Sequence, residues 1–500
     1  MKRHRVMQPI LTVIGILILF LGSVSSFALG NPARLPALLE KGTVVLAYFV
    51  SDEATSVSVI THDGVQTTSR SAITGNELAE QVLSFRNEIE SSPMPGQEAV
   101  SYLRALERGR DLYELLIAPV DAYLEGAEHL AIIPSDVLFS LPFGAMYICP
   151  GCEKRDLYGG EFLIEHCSIS YAPSLCSLER SLQKGNREEY RSILTVSNLS
   201  GESHWSEEEA TNIASLFPDR TMLMGAEATE EAVKGLLGTR RYDVVHFATH
   251  CLFLDGQAPL LSNIRFLQAK NEDGVFRIDE LLGLNVSIGL LTFSTGLGIQ
   301  LPVGGAAGVN RTASSTGEAF RILTDALLAS GVASAVLPLG NVNNWSTVRL
   351  MEVMYQELGQ ESTKDKALQR AKLSLLRYPN YRHPYYWAPF VLYGGWSAMN
   401  STRPPDTGKL DYPLYQALQE WKSKEHAPDE TPLVVSVLVT LVHPVAQEDL
   451  DAFKALSDEI EVQGAFGNFV QLRLPLTLLD AVCALPQVRS VATPAGTISN

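Results

Sequence analysis

The chain has 500 residues, of which 46% are hydrophobic and 19% charged, so it can form large cores and is not disordered throughout. Its 39 Lys and Arg residues against 56 Asp and Glu residues give a net charge of −17, which excludes a domain-wide surface for nucleic acid, because basic side chains must neutralise the phosphates. The mean hydropathy of +0.07 with one long apolar run excludes a protein with many membrane spans.

The N-terminus has the three-part pattern of a secretory signal. A basic start, Lys2 to Arg5, precedes an apolar run at residues 10–21, and small residues lead to Ala28. Residues 1–29 are therefore predicted to be a signal peptide or, if uncleaved, a membrane anchor, because about 21 residues can cross a bilayer. With the basic flank held inside, we expect an extracytoplasmic protein, secreted or anchored by this N-terminal helix.

Residues 41–400 are predicted to form one α/β domain. Two amphipathic helices follow a hairpin with an Asp63-Gly64 turn, and from residue 129 short apolar runs alternate with helical patterns. This alternation predicts a mainly parallel sheet with helices on both faces. The predicted strands are residues 44–50, 56–60, 129–133, 192–196, 242–248, 290–294, 333–339 and 390–393, and the later helices are residues 207–216, 230–237, 317–329, 346–358 and 364–376.

The C-terminal part is predicted to be separate. Residues 401–431, rich in proline and charge, are predicted to be a linker. Residues 432–493 have strand and helix patterns in the order β-α-β-β-α-β, which predicts a small ferredoxin-like α+β module. The module is loosely similar to the pro-regions of subtilisin-like proteases, which implies either a protein-binding sheet or a structural appendage.

The strand that ends at His250 is the strongest candidate for a reaction site, because parallel sheets carry their sites where the strands end. Residues 246–250, His-Phe-Ala-Thr-His, resemble the motif that presents the catalytic His in the CHAT family of caspase-like cysteine peptidases. The resemblance covers residues 41–396 and implies a caspase-like fold with His250 as the catalytic His. Further fragments in the family's order are residues 63–64, 133–135, 141–143, 170–174, 259–262, 328–332 and 383–390.

The family's nucleophilic Cys has no counterpart here. The family motif ends Leu-Ser-Ala-Cys-Glu-Thr-Gly, and its two alignments place either Phe293 or Gly296 at the position of the Cys. Such a peptidase needs a thiolate beside an imidazole, and neither Phe nor Gly has an ionisable group. The resemblance therefore implies a degenerate active site in which His250 is vestigial.

Two other residues are alternative nucleophiles. Ser294 follows Phe293, but strand alternation turns its side chain to the opposite face. Cys251 follows His250 directly, and adjacent residues rarely meet as nucleophile and base. The segment 297–316 is rich in small residues and has Arg311 as its only charge, so we expect a relaxed loop in place of the family's substrate-shaping loop.

Cysteines and acidic residues suggest weaker sites. Cys149 and Cys152 form a CxxC pattern that predicts a local disulfide, free thiols or, with Cys167 and Cys176, a zinc site, and these three alternatives stay open. The acidic run at residues 207–209 is predicted to be a solvated helix cap.

The sequence thus favours a non-catalytic pseudopeptidase that binds or scaffolds protein partners. The alternative is an active cysteine- or serine-type peptidase with a relocated nucleophile. No cofactor and no nucleic-acid partner are expected, and membrane contact is expected at the N-terminus if the signal is uncleaved.

Overall fold

The structure is a computed structural model that describes most of residues 34–492. The predicted signal, His250, Cys251 and Cys152 lie outside the described residues. The undescribed positions are residues 1–33, 95, 150–158, 185–189, 198–203, 250–251, 256–258, 267, 269–271, 285, 301–308, 361, 400–408, 411–413, 415–416, 419–420, 423–431, 467 and 493–500.

An 11-stranded sheet organises the large domain, with its strands between Thr43 and Gly394. Its strands lie in the order β3-β2-β1-β4-β7-β17-β16-β14-β10-β8-β9. Their bounds are β1 Thr43–Val50, β2 Thr55–Thr61, β3 Gly64–Ser71, β4 His129–Ile133, β7 Ser168–Tyr171, β8 Ser192–Ser197, β9 Asp219–Met224, β10 Tyr242–Phe247, β14 Ile288–Phe293, β16 Ser334–Pro338 and β17 Phe390–Gly394.

Most of these strands are parallel, which confirms the predicted fold class. The pairs β1–β4, β4–β7, β7–β17, β8–β9, β8–β10, β10–β14 and β14–β16 are parallel, whereas β1–β2, β2–β3 and β16–β17 are antiparallel. Every residue of β4, β7, β8, β16 and β17 is buried. Because successive side chains point to opposite faces, the sheet is covered on both sides.

Helices supply that cover. Ten belong to the large domain, and two belong to the C-terminal module, all counted over the described residues. They are α1 Gly75–Glu90, α2 Glu98–Leu116, α3 Leu163–His166, α4 Leu175–Lys184, α5 His204–Ser215, α6 Glu230–Thr239, α7 Ile278–Gly283, α8 Val309–Ala329, α9 Asn344–Leu358, α10 Lys364–Leu376, α11 Gln447–Leu456 and α12 Leu479–Ala484.

The first two residues of α10 contact the first residues of three strands of the sheet. Lys364 Nζ donates to Ser334 Oγ (3.0 Å) at the start of β16. Asp365 contacts His129 (2.6 Å) and Ser168, at the starts of β4 and β7. We call this the amino edge. The strands β10 and β14 are parallel to β16, so all three end at the opposite, carboxyl edge, where α/β proteins place their sites.

Helix α8 packs closely against the turn that follows β4. A Cβ atom on Gly317 would lie 2.0 Å from the carbonyl oxygen of Asp136, so only glycine fits. Asp136 itself has φ of +53°, an uncommon conformation for a residue with a side chain. The prediction placed the start of this helix at Gly317, but the helix already begins at Val309, so residues 309–316 of the predicted loop 297–316 are helical.

Two smaller sheets complete the fold. One lies beside the carboxyl ends of β10 and β14 and has the order β13-β12-β11-β15, with bounds β11 Leu252–Asp255, β12 Asn263–Arg265, β13 Val275–Arg277 and β15 Leu297–Gln300. The short pair β5 Tyr147–Ile148 and β6 Glu161–Phe162 forms the other.

The C-terminal module has its own antiparallel sheet and its own core, with the predicted β-α-β-β-α-β element order. The strands lie in the order β19-β20-β18-β21, with bounds β18 Val434–Leu441, β19 Glu461–Phe466, β20 Phe469–Pro475 and β21 Val488–Ala492. The predicted linker differs from the structure, because Leu410, Leu414 and Leu418 are buried in this core. Leu410 forms an isolated parallel β-bridge with Val491, whereas Leu414 and Leu418 are helical and, four residues apart, share one face.

Within the described part of the chain, no helix is long and apolar enough to cross a membrane.

Candidate functional site

The candidate site is built on β10 and β14, which are neighbours in the middle of the sheet. They pair in register from Tyr242 and Ile288 to Phe247 and Phe293. Their valine, leucine and isoleucine residues are buried, as the sequence predicted for a central parallel strand. Beyond the large sheet, the segments that follow β10 and β14 pair again in parallel, from Leu252 and Leu297 onward.

Phe293, the first candidate for the lost nucleophile position, is a core residue. Its side chain is 2% exposed and stacks on Phe247, with the ring centroids 5.2 Å apart and the planes 11° apart. Phe247 in turn lies 6.3 Å from the ring of Phe266. A side chain at position 293 therefore points into an aromatic core and away from solvent.

Ser294, the candidate relocated nucleophile, is tied to the neighbouring strand. Its amide donates to the carbonyl oxygen of Phe247 (3.1 Å), and its hydroxyl makes a longer bond to the same oxygen (3.4 Å). The residue is 1% exposed. A nucleophilic hydroxyl must reach both its base and the substrate, and the Ser294 hydroxyl in this position is shielded from solvent.

Gly296, the second candidate for the lost position, has space for a side chain. The nearest atoms to a Cβ at this position are Asn341 Cα, the Gly340 carbonyl oxygen and Val342 N, each at 3.6 Å, which is ordinary van der Waals contact. Gly296 is half-buried and does not adopt a positive φ. Nothing in the described backbone therefore requires glycine at this position.

The predicted catalytic His250 and the alternative nucleophile Cys251 lie outside the described residues. The strand that leads to them is firmly held, since the Ala248 amide donates to the Val196 carbonyl oxygen (2.9 Å) and Thr249 is 1% exposed. On the β14 side, Thr295 is half-buried, and its hydroxyl makes no hydrogen bond within the described residues.

A buried polar network under the site was missed by the sequence analysis. His246 Nε2 lies 2.9 Å from Glu209 Oε1, and His246 Nδ1 lies 3.1 Å from Tyr355 Oη. The Tyr355 hydroxyl donates to Thr292 Oγ1 (2.8 Å), and burial raises the pKa of this phenol. The network joins α5 and α9 to β10 and β14, so it fixes the two strands that carry the site.

Glu209 also corrects the prediction for the acidic run. Glu207 is exposed, as expected for a solvated cap, but Glu209 is only 4% exposed and pairs with His246. The sequence signal was available, because Glu209 and His246 each occupy an inward position of an otherwise apolar pattern.

The cysteines do not form the four-thiolate zinc site. Cys149 is buried and disulfide-bonded, whereas Cys167 and Cys176 keep their thiols. Burial raises the pKa of the Cys167 thiol to about 12. Zinc ligation by all four residues would need four thiolates, which a disulfide at Cys149 prevents. The pairing of Cys149 with Cys152 stays a prediction.

Three carboxylates meet elsewhere, on α6 and beside α7. Glu230, Glu272 and Glu280 each place an oxygen within 4.8 Å of the others, which is close enough to hold a cation. Lys234 Nζ lies 2.7 Å from Glu230, 3.2 Å from Glu272 and 2.7 Å from Glu280. The ammonium group thus takes the place that a metal ion would need.

Comparisons with known proteins agree with the resemblance seen in the sequence. The family model described as the CHAT domain matches residues 106–395, more than half of the chain. No curated protein matches the chain.

Among solved structures, the chain is similar to the separase of the Saccharomyces cerevisiae separase–securin complex, with a TM-score of 0.46 and 11% identity over 73% of this chain and 30% of that chain. It thus matches less than a third of the separase chain. It is also similar to the Arg-specific cysteine proteinase gingipain R, with a TM-score of 0.36 and 9% identity over 80% of this chain and 89% of that chain. The complex of the Porphyromonas gingivalis RgpB pro- and mature domains gives a TM-score of 0.35 and 10% identity over 80% of this chain and 91% of that chain.

Proposed function

The chain belongs to the CHAT domain family, and we propose that it is a non-catalytic member, a pseudopeptidase that binds or scaffolds protein partners outside the cytoplasm. One observation carries the proposal. At the end of β14, where the family resemblance expects a cysteine, Phe293 packs into the core on Phe247 and Gly296 offers no side chain.

The chemistry of the family explains why this matters. A cysteine peptidase attacks the peptide carbonyl with a thiolate whose proton is held by a nearby imidazole. Neither Phe293 nor Gly296 can form the thioester, even with His250 retained. A fold that keeps its sheet, its strand ends and a buried network under the site still presents an organised surface, which is what a binding module needs.

The alternative is a peptidase with a relocated nucleophile, Ser294 or Cys251. Ser294 would have to break its bond to the Phe247 carbonyl and become exposed before it could react. This alternative requires a rearrangement of the strand end, whereas the binding proposal requires none.

The test is a digest of a diverse peptide library by the full chain, read by mass spectrometry. His250→Ala is assayed beside it, with His62→Ala in the β2–β3 hairpin as the matched control. We expect no cleavage by any of the three proteins, and retained partner binding by His250→Ala. Cleavage that disappears in His250→Ala but survives in His62→Ala would overturn the proposal in favour of an active peptidase.

Export is part of the proposal and has its own test. The basic start and the apolar run of residues 1–29 support it. We expect the chain to be recovered outside the cytoplasm, with its N-terminal sequence either beginning after Ala28 or intact and membrane-bound. Recovery of the intact chain in the cytoplasm would contradict export.

A further inference from the structure

Five aromatic side chains form a partly exposed surface at the carboxyl edge. Trp345 is 39% exposed at the start of α9, and Tyr378 is 51% exposed just after α10. The other three members are half-buried. The aromatic surface consists of Trp345, Tyr378, Tyr381, Tyr385 and Tyr386.

The rings of this surface are arranged face to face at one point and edge to face around it. Trp345 stacks on Tyr381 at 4.3 Å with planes 16° apart. Tyr381 meets Tyr378 at 82° and Tyr386 at 86°, and Tyr386 meets Tyr385 at 75°. The rings thus form one connected aromatic patch, and aromatic-lined surfaces recognise proline-rich segments.

The surface is held in place from below. His383, 6% exposed, accepts from the Tyr385 amide at Nδ1 (3.1 Å) and meets Ser101 Oγ at Nε2 (3.1 Å). The fully buried Trp387 donates from Nε1 to the Arg382 carbonyl oxygen (3.1 Å). The backbone that presents the tyrosines is therefore fixed before any ligand binds, which lowers the entropic cost of binding.

The aromatic surface and the candidate site lie at the same edge of the sheet. Position 296 borders the segment that follows β16, since Asn341 Cα lies 3.6 Å from where a Cβ of Gly296 would be. Trp345 is four residues further along, which is about 14 Å at full extension. The tyrosines lie on the segment that leads into β17, whose first residue Phe390 pairs with Pro338 at the end of β16.

The charge beside the aromatic surface is opposite in sign to that of the chain. Arg377 and Arg382 flank the tyrosine segment, both are exposed, and neither makes an ion pair with a described residue. Near Trp345, the Arg349 guanidinium is balanced by Glu352 at 3.5 Å. Glu98 is the acidic group that faces Tyr386, whose pKa is raised by burial, by the neighbouring phenols and by Glu98.

We propose that the aromatic surface, with Arg377 and Arg382, binds an acidic, proline-containing peptide segment of a partner protein. The two arginines are complementary to carboxylates, and exposed aromatic rings are the side chains on which proline docks. This inference rests on the proposed function, because it names the partner chemistry of the same edge of the sheet. A net charge of −17 repels acidic peptides elsewhere on the chain, so attraction is confined to such a local patch.

The test is binding of fluorescein-labelled peptides to the full chain, followed by fluorescence anisotropy. The probe is a Glu-Pro repeat, compared with a Glu-Ala repeat and a Lys-Pro repeat of equal length. We expect the Glu-Pro peptide to bind at least about tenfold more tightly than either of the others, and its affinity to fall as salt is raised.

Variants locate the binding. Trp345→Ala, and separately Arg377→Glu with Arg382→Glu, are each expected to weaken Glu-Pro binding about tenfold. The arginine variants change exposed side chains and leave the core intact, and Trp345→Phe keeps the ring stack and should retain most of the affinity. Tyr123→Ala (41% exposed) and Arg70→Glu are the matched controls away from this surface, and both should bind as the unchanged chain does.

Equal binding of the three peptides, or equal loss in the control variants, would overturn the proposal. Tighter binding of the Lys-Pro peptide would also overturn it, because the selectivity would then come from the overall acidic charge. The outcome is separable from that of the library digest. His250-dependent cleavage with retained Glu-Pro selectivity would overturn the pseudopeptidase alone.

Discussion

Phe293 lies face to face with Phe247 across two neighbouring parallel strands, with 5.2 Å between ring centroids. The pair closes the core at one of the two positions, Phe293 and Gly296, that the family resemblance aligns with the nucleophile. A buried aromatic stack contributes both apolar burial and ring contact to stability. The end of β14 is therefore built for packing.

Phe293→Cys should destabilise the chain by about 3 kcal/mol, because it replaces a buried ring by a much smaller side chain and leaves a cavity. The new thiol should react slowly with iodoacetamide in the folded protein, and peptide turnover should be at most faint. Urea denaturation and thiol labelling measure these effects. Turnover at a rate like that of active relatives would show a competent scaffold and contradict the prediction.

Gly296→Cys is the matched substitution at the other aligned position. We expect a change in stability below about 1 kcal/mol, because a Cβ there makes only ordinary contacts. Its thiol should be labelled faster than that of Phe293→Cys. Slower labelling than at position 293 would mean that the Phe293 position, not Gly296, faces the site.

Ser294→Ala separates the two functional proposals. The serine makes a weak bond to the Phe247 carbonyl, so its loss should destabilise the chain by about 1 kcal/mol or less. The profile of the library digest should not change. If the unchanged chain cleaves peptides and Ser294→Ala does not, the relocated nucleophile is identified.

We expect Asp365, at the amino edge, to make the stability of the fold sensitive to acid. Burial opposes its ionisation, but bonds from His129 and Ser168 outweigh burial and lower the pKa of the carboxyl group to about 2. Since the folded pKa lies below the unfolded value, the stabilisation is present above about pH 4 and is lost as the pH falls toward 2. It amounts to about 2 kcal/mol.

The measurement is urea unfolding as a function of pH. Asp365→Asn should lower stability at neutral pH and flatten the fall between pH 4 and pH 2. Asp63→Asn, at an exposed carboxylate in the β2–β3 hairpin, should keep the slope of the unchanged chain. An unchanged slope in Asp365→Asn would show that the pair with His129 does not stabilise the fold.

Lys372 predicts a second rise of stability with pH, in the alkaline range. It is 4% exposed, and burial lowers the pKa of its ammonium group to about 7. Above this pH the folded chain holds the neutral amine while the unfolded chain still binds the proton, so stability should rise from about pH 7 to pH 10. Lys372→Met should stabilise the chain by about 2 kcal/mol at pH 6 and abolish the rise. Lys366→Met, on the exposed face of the same helix, should do neither.

The central strands were predictable because their signals are local. Continuous apolar runs specify β10 and β14, and the parallel sheet follows from their alternation with helices. The Glu209–His246 pair was not predictable in the same way. The acidic run has the local pattern of a helix cap. Glu209 does occupy an inward position of the apolar pattern, but only the packing of α5 against the sheet brings its carboxylate to His246. The family resemblance narrowed the position of the nucleophile to Phe293 or Gly296. The stacking of Phe293 on Phe247 and the open space at Gly296 depend on tertiary packing, which the sequence does not show.

The three leucines at positions 410, 414 and 418 bear on how the C-terminal module can be isolated. They are buried among the module's own apolar residues, although they precede its first strand by many positions. A recombinant fragment that starts at residue 432 would expose the apolar core residues that these leucines cover, and it should aggregate. A fragment that starts near residue 409 keeps these leucines. It is the shortest C-terminal fragment that we expect to fold by itself. Proteolytic trimming of the full chain should accordingly stop before Lys409, not at the proline-rich stretch before β18.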